Sequence, residues 1–197
     1  MRYANVCAVV LAVGLLGGCA RSQPTRFYIL TSSPGSEPTS HAPVTAEQLV
    51  IEIGPVDFPK YLDRPQIVSC TNGSRLKLAE FDRWAEPLRQ SFGRTLAENL
   101  SDLLSTERVV LFPWKRGGPI DYRITIEVIR FDGTPGGEAS MIARWALLGP
   151  DGNEIAAPRR SRITVSTRQA GYDGVAAAMS EAVDELSREI VAAISSR

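Results

Sequence analysis

The chain has 197 residues, 22 Lys+Arg against 22 Asp+Glu, one histidine and 44% hydrophobic residues, so its formal net charge is zero. A neutral chain carries no basic stripe to displace counterions from phosphates, which argues against a nucleic-acid partner. A single histidine leaves almost no material for a Ser-His-Asp triad or a histidine metal site, and the length suits one domain with a real core.

Residues 6–16 are almost wholly apolar and follow Arg2, the build of a secretory signal. The run ends at Gly17-Gly18 after about 11 residues, short of the roughly 20 that a spanning helix needs. Cys19 comes next, and Leu16-Gly17-Gly18-Cys19 resembles a bacterial lipobox, in which small residues let the backbone lie extended and the cysteine thiol takes the lipid. The alternative is an ordinary signal peptide with a chance cysteine, or a cysteine of the folded domain, but residues 20–24 are small and polar, like the start of a tether. Residues 1–18 are therefore expected to be a lipoprotein signal peptide, residues 19–25 a lipidated tether and residues 26–197 the folded domain. One acyl chain binds a membrane only marginally, at ~0.8 kcal/mol per buried methylene, whereas the several chains of a lipoprotein hold it firmly. In the lipoproteins that this segment resembles, inner-membrane retention goes with Asp after the cysteine, so Ala20 implies the outer membrane. Loss of Cys7 with the signal and acylation of Cys19 leave Cys70 alone, so no internal disulfide is expected; Cys70 reads as a buried strand residue rather than a reactive thiol.

Residues 26–30 have strand composition, and residues 31–46 form a Ser/Pro/Gly/Thr-rich loop that holds His41. Residues 48–58 alternate, with Leu49, Ile51 and Ile53 on one face and Val50 and Glu52 on the other, until Gly54-Pro55 forces a bulge or an end. Prolines at 59 and 65 bracket the next segment and keep the residues that precede them out of helix. Residues 66–70 and 75–80 are two strands joined by a turn with Asn72-Gly73. From 82 to 105 the period changes: Trp84, Leu88, Phe92, Leu96 and Leu100 predict an amphipathic helix, with Asp82 as its cap and Pro87 in its first turn. Strands follow at 108–114, 121–132, 139–148 and 154–168, the last three an antiparallel meander with turns at 133–137 and 150–153. A second helix over 172–194 puts Val175, Met179, Val183, Leu186, Ile190 and Ile194 on one stripe and Glu181, Asp184, Glu185, Arg188 and Glu189 opposite. The fold class is α+β, with two amphipathic helices packed on one face of a mostly antiparallel mixed sheet.

Catalytic chemistry has little to stand on. Gly133-Thr134-Pro135-Gly136-Gly137 lies between strands rather than ahead of a helix, so it is not a phosphate loop. Glu80 and Asp82 are the nearest carboxylate pair, and any acidic surface offers as much. No enzyme, cofactor or metal site is expected.

Tyr61-Leu62-Asp63-Arg64-Pro65-Gln66-Ile67, then Arg83-Trp84-Ala85-Glu86-Pro87-Leu88, with Phe112-Pro113-Trp114 and Ala143-Arg144-Trp145 later, resemble the PqiC-like ABC-type transport auxiliary lipoproteins. The resemblance runs over essentially the whole mature chain. It implies a periplasmic accessory lipoprotein that works with an MCE-domain protein and ABC transporter subunits in lipid traffic, lipid-anchored to the periplasmic face of the outer membrane. Its role would be docking or scaffolding the periplasmic tunnel protein; the alternative is an assembly or activator lipoprotein for another envelope machine. Self-association into a homo-oligomeric ring would suit the first role, and six tether residues at up to about 3.5 Å each give roughly 20 Å of reach. Candidate partner-binding residues are Tyr61, Leu62, Asp63, Arg64, Trp84, Glu86 and Trp114. Asp63 and Arg64 are placed to pair with Arg83 or Glu86, which either locks the loop to the helix or forms a binding surface. Trp145 reads as core, and both helix stripes are expected to be used up by mutual packing, leaving no lipid cavity between helices and sheet.

Overall fold

The computed structural model of the chain describes residues 23–32, 49–71, 74–114 and 117–196. Cys19, the signal segment, His41 and the Asn72-Gly73 pair lie outside the described residues. Two sheets are present rather than one. Five strands run in the order β5 (Val109–Leu111), β2 (Ile51–Asp57), β6 (Tyr122–Gly133), β7 (Glu138–Leu148) and β8 (Arg159–Ser166). Three more form a small sheet in the order β1 (Arg26–Tyr28), β4 (Arg75–Trp84) and β3 (Gln66–Thr71). The meander β6-β7-β8 is antiparallel as its alternation predicts, but β2 runs parallel to both β5 and β6, and β1 parallel to β4. The bulge expected at Gly54-Pro55 is present as a register shift between Ile53 and Val56.

Helices α1 (Leu88–Leu104) and α2 (Gly171–Ser195) pack on each other and on one face of the five-stranded sheet. α1 covers β2 and β5, and α2 covers β6, β7 and β8. The predicted stripes are buried: Leu88, Phe92, Leu96 and Leu100 on α1, and Val175, Met179, Val183, Leu186, Ile190 and Ile194 on α2. The α2 stripe lies over β7, whose Met141, Ala143, Trp145 and Leu147 are all buried, so Trp145 is core; its indole N–H donates to Ser161 at 2.9 Å. Phe92 touches Phe58 and Phe131 edge-on, with centroids 5.3 and 5.7 Å away. Asn99 donates to Ser187 at 3.3 Å across the helix pair. The amides of Leu30 and Thr31 donate to Ser91 on α1 and Ser180 on α2, tying the first strand to both helices.

Three expectations are corrected. α1 starts at Leu88, not at residue 82, because β4 runs on through Trp84, where β1 offers it a parallel ladder from Arg26↔Asp82 to Tyr28↔Trp84. Asp82 caps nothing; it is buried, takes Arg26 at 2.7 Å and the Tyr28 hydroxyl at 3.0 Å, and with burial pushes that phenol up to about 12. Pro87, with no N–H to give, is the residue at which strand ends and helix begins. Asp184, assigned to the outer face of α2, is buried and held by Arg188 at 2.7 Å, one turn on. Between the two prolines, Lys60–Leu62 makes a single 3-10 turn, while Phe58 and Arg64, the residues ahead of each proline, are not helical. Phe92→Ala removes the ring that joins α1 to both Phe58 and Phe131, so urea unfolding of this variant should read a loss of about 3–5 kcal/mol.

Candidate docking face

The loop around residues 61–65 is pinned by its own main chain. Leu62 N–H donates to Pro59 C=O at 2.9 Å, Asp63 N–H to Lys60 C=O at 3.1 Å, and Trp84 N–H reaches back to Pro65 C=O at 2.6 Å. Ala85 N–H donates to Tyr28 C=O at 2.8 Å, so loop, β4 and β1 converge just ahead of α1. Within this frame the predicted residues separate. Leu62 and Trp84 are buried core side chains; Tyr61 is half-buried, and burial, with Asp132 close by, raises its phenol. Asp63 is exposed, and Arg64 and Glu86 are half-buried.

The pairing expected between this loop and Glu86 is replaced by another. Glu86 is held by Arg94 at 2.5 Å, and Arg94 also reaches Glu98 at 3.3 Å. Glu86 lies just before α1 and Arg94 two turns into it, so the pair spans the helix start. The Nε atoms of Arg64 and Arg83 are buried without a hydrogen-bond partner among the described residues. Trp114 is also half-buried, but it stands apart: its N–H donates to Glu52 at 3.3 Å and its ring lies over Gly118, where a Cβ would come within 2.7 Å. It lines neither of the two depressions at the start of α1.

Those depressions meet at Glu86. A smaller one of about 270 Å³ is lined by the loop residues Asp63 and Arg64 with Trp84 and Pro87. A larger groove of about 590 Å³ runs between α1 and the kinked end of β2, with Ile53, Val56, Leu111 and Phe112 on one wall and Arg89 and Gly93 on the other. Leu111 and Phe112 are 44% and 48% exposed, well above what side chains of their size show in the core. Sequence reasoning missed this groove, which needs β2, β5 and α1 to be brought together. The one local signal was Arg89 directly behind Pro87-Leu88, a cation where a helix start favours an anion.

No group of three or more His, Cys, Asp or Glu side chains comes together among the described residues, and Cys70 is half-buried on β3 with a free thiol. The arrangement offers apolar contact with a charged rim, which suits binding.

The family model of the ABC-type transport auxiliary lipoprotein component matches residues 28–191. The chain is 26% identical over 165 residues, 84% of each chain, to the intermembrane transport lipoprotein PqiC of Escherichia coli (strain K12) and equally to that of Shigella flexneri. Among solved structures, one titled an uncharacterized protein superposes with a TM-score of 0.70 at 22% identity, over 87% of this chain and 99% of its own. A protein from Xanthomonas campestris gives 0.67 at 19% identity, over 84% and 92%.

The Glu86–Arg94 pair makes a pH-dependent contribution. The hydrogen bond from Arg94 holds the Glu86 carboxyl below its ordinary 4.5, against the opposing effect of burial. A carboxyl lowered in the fold stabilises above its unfolded pKa and loses that contribution as pH falls through the folded value. The stability advantage of the wild type over Glu86→Gln, followed by urea unfolding, should therefore be constant above pH 5 or so and shrink in acid below 4.5.

Proposed function

Because the chain belongs to the ABC-type transport auxiliary lipoprotein family, with its match over residues 28–191, we propose that it is a non-catalytic docking subunit of an envelope lipid transporter. In this reading Cys19 carries the lipid, residues 19–25 are the tether, and the anchor lies in the periplasmic face of the outer membrane. The domain holds an MCE-domain tunnel protein, and through it the ABC transporter subunits, against that membrane. Copies of the domain assemble into a ring that leaves β5 open, and β8, at the other edge of the five-stranded sheet, is available for pairing. One observation carries the docking role: exposed apolar side chains at Leu111 and Phe112 stand in a groove that continues into the loop bearing Asp63 and Arg64. A patch of that kind, rimmed by charge, is what a protein-binding surface requires.

Affinity purification of the chain from solubilised membranes tests the reading. MCE and ABC subunits should co-purify with the wild type, and Phe112→Asp or Asp63→Lys should lower their yield several-fold without loss of the fold. Recovery of an outer-membrane barrel or a cell-wall synthase in their place would favour the assembly-factor alternative. Cys19→Ser should move the protein from the outer-membrane fraction to the soluble periplasm; equal retention in the membrane would rule out acylation as the anchor.

A further inference from the structure

We infer that the groove at the start of α1 is a peptide site, which takes an extended, apolar, acidic segment of a partner protein as an added strand on β5, with Arg89 as the residue that selects its carboxylate. The inference rests on the docking reading above and names the element docked. Three observations meet here. The first is an edge that no strand covers among the described residues. Ile51 N–H donates to Arg108 C=O at 3.0 Å and Phe112 N–H to Ile53 C=O at 2.9 Å, so residues 108, 110 and 112 turn their main chain toward β2. Alternation along the strand turns the N–H and C=O of Val109 and Leu111 outward, on the last strand of the sheet. Main-chain pairing along such an edge supplies affinity, and pockets for alternate side chains supply specificity.

The second observation is the apolar floor beside that edge. Gly93 on α1 carries no side chain where a Cβ would meet Leu111 Cδ2 at 3.6 Å, which leaves the floor low beneath the exposed Leu111 and Phe112. Residues 33–48, the segment that precedes β2 in the sequence, have Val44 as their largest aliphatic side chain and no Phe, Tyr or Trp, a poor filling for such a groove.

The third observation is the charge. Arg89 is exposed, lines the groove, and has no ion-pair or hydrogen-bond partner among the described residues. It is the second residue of α1, whose first turn holds no acidic side chain, so its charge opposes the helix dipole and costs stability there. Arg94, the other cation of the groove, is already taken by Glu86 and Glu98. Asp57 on β2 also lines the groove, exposed and without an ion-pair or hydrogen-bond partner among the described residues, so the groove sets one uncommitted cation, Arg89, on its α1 wall to meet a carboxylate of the incoming strand, and one uncommitted anion on its β2 wall.

The test uses the full chain in phosphatidylcholine nanodiscs, panned with a displayed library of random peptides. Enriched sequences should share alternating apolar residues and at least one Asp or Glu. Arg89→Glu should weaken the selected peptide by about tenfold or more, the size of one charged hydrogen bond, while its Tm stays level or rises because the new carboxylate suits the helix start. Leu111→Pro, which removes an outward N–H and spares the ladder to β2, should weaken it as well. The inference is overturned if no consensus emerges, or if the selected peptide binds Arg89→Glu as tightly as the wild type. Displacement of the peptide by monomeric lysophosphatidylglycerol, which would make the groove a lipid site, overturns it too, as does a copy-to-copy crosslink through Phe112→Cys. Transporter subunits that co-purify undiminished with Arg89→Glu would sink the groove alone and leave docking through the 61–65 loop standing.

Discussion

The close approach of Phe112 to Gly54 is the constraint on which the candidate face depends. Gly54 has φ +122°, a conformation that side chains rarely tolerate, and a Cβ there would stand 2.8 Å from Phe112 Cβ. Only a residue without a side chain lets β2 kink at that point and lets the chain leaving β5 close against it. The kink separates the register Ile53↔Ile124 from Val56↔Ile126, and the space it opens beside α1 becomes the groove. A single backbone requirement in β2 thus fixes where Leu111 and Phe112 emerge.

Charge is used in two ways in this molecule. Glu52, Asp82, Asp132 and Asp184 are each at most 5% exposed, and each has an arginine partner whose own side chain still reaches water: Arg123, Arg26, Arg130 and Arg188. Desolvating a carboxylate costs several kcal/mol, so these pairs offset a penalty and fix geometry rather than add much net stability. Glu52 illustrates this: it joins Arg123 of β6 to the N–H of Trp114 and so holds the chain beyond β5 against the sheet. Around the groove the charges are half in water and worth little to the fold, typically under about 1 kcal/mol each. Arg89 belongs to this second set, and with Asp57 it is one of two charged side chains lining the groove that have no partner among the described residues.

How much was legible in the sequence follows from which interactions are local. The meander, both helix stripes, the bulge at Gly54-Pro55 and the burial of Trp145 rest on alternation or on a four-residue period, and all are present. Trp84 misled because it faces the core at the end of β4, in step by chance with the helix that follows. Nothing in residues 26–28 announces that they pair in parallel with residues 82–84, and nothing in residues 109–111 announces β2 as their neighbour. Those pairings decide where α1 begins and where the groove lies. Leu62 and Trp84 carry the family resemblance, yet they face the core and hold the loop in place, while Asp63, Arg64 and Glu86 remain at the surface.

The central claim is that the face at the start of α1, and not the open outer face of the sheet, meets the rest of the transporter. Site-specific photo-crosslinking in living cells tests it most directly, with the crosslinker placed in turn at Phe112, at Asp63 and at exposed Thr164 on β8. The account predicts that positions 112 and 63 capture one and the same transporter subunit and that position 164 does not. Capture of that subunit from position 164 alone, or of lipid alone from position 112, would contradict it.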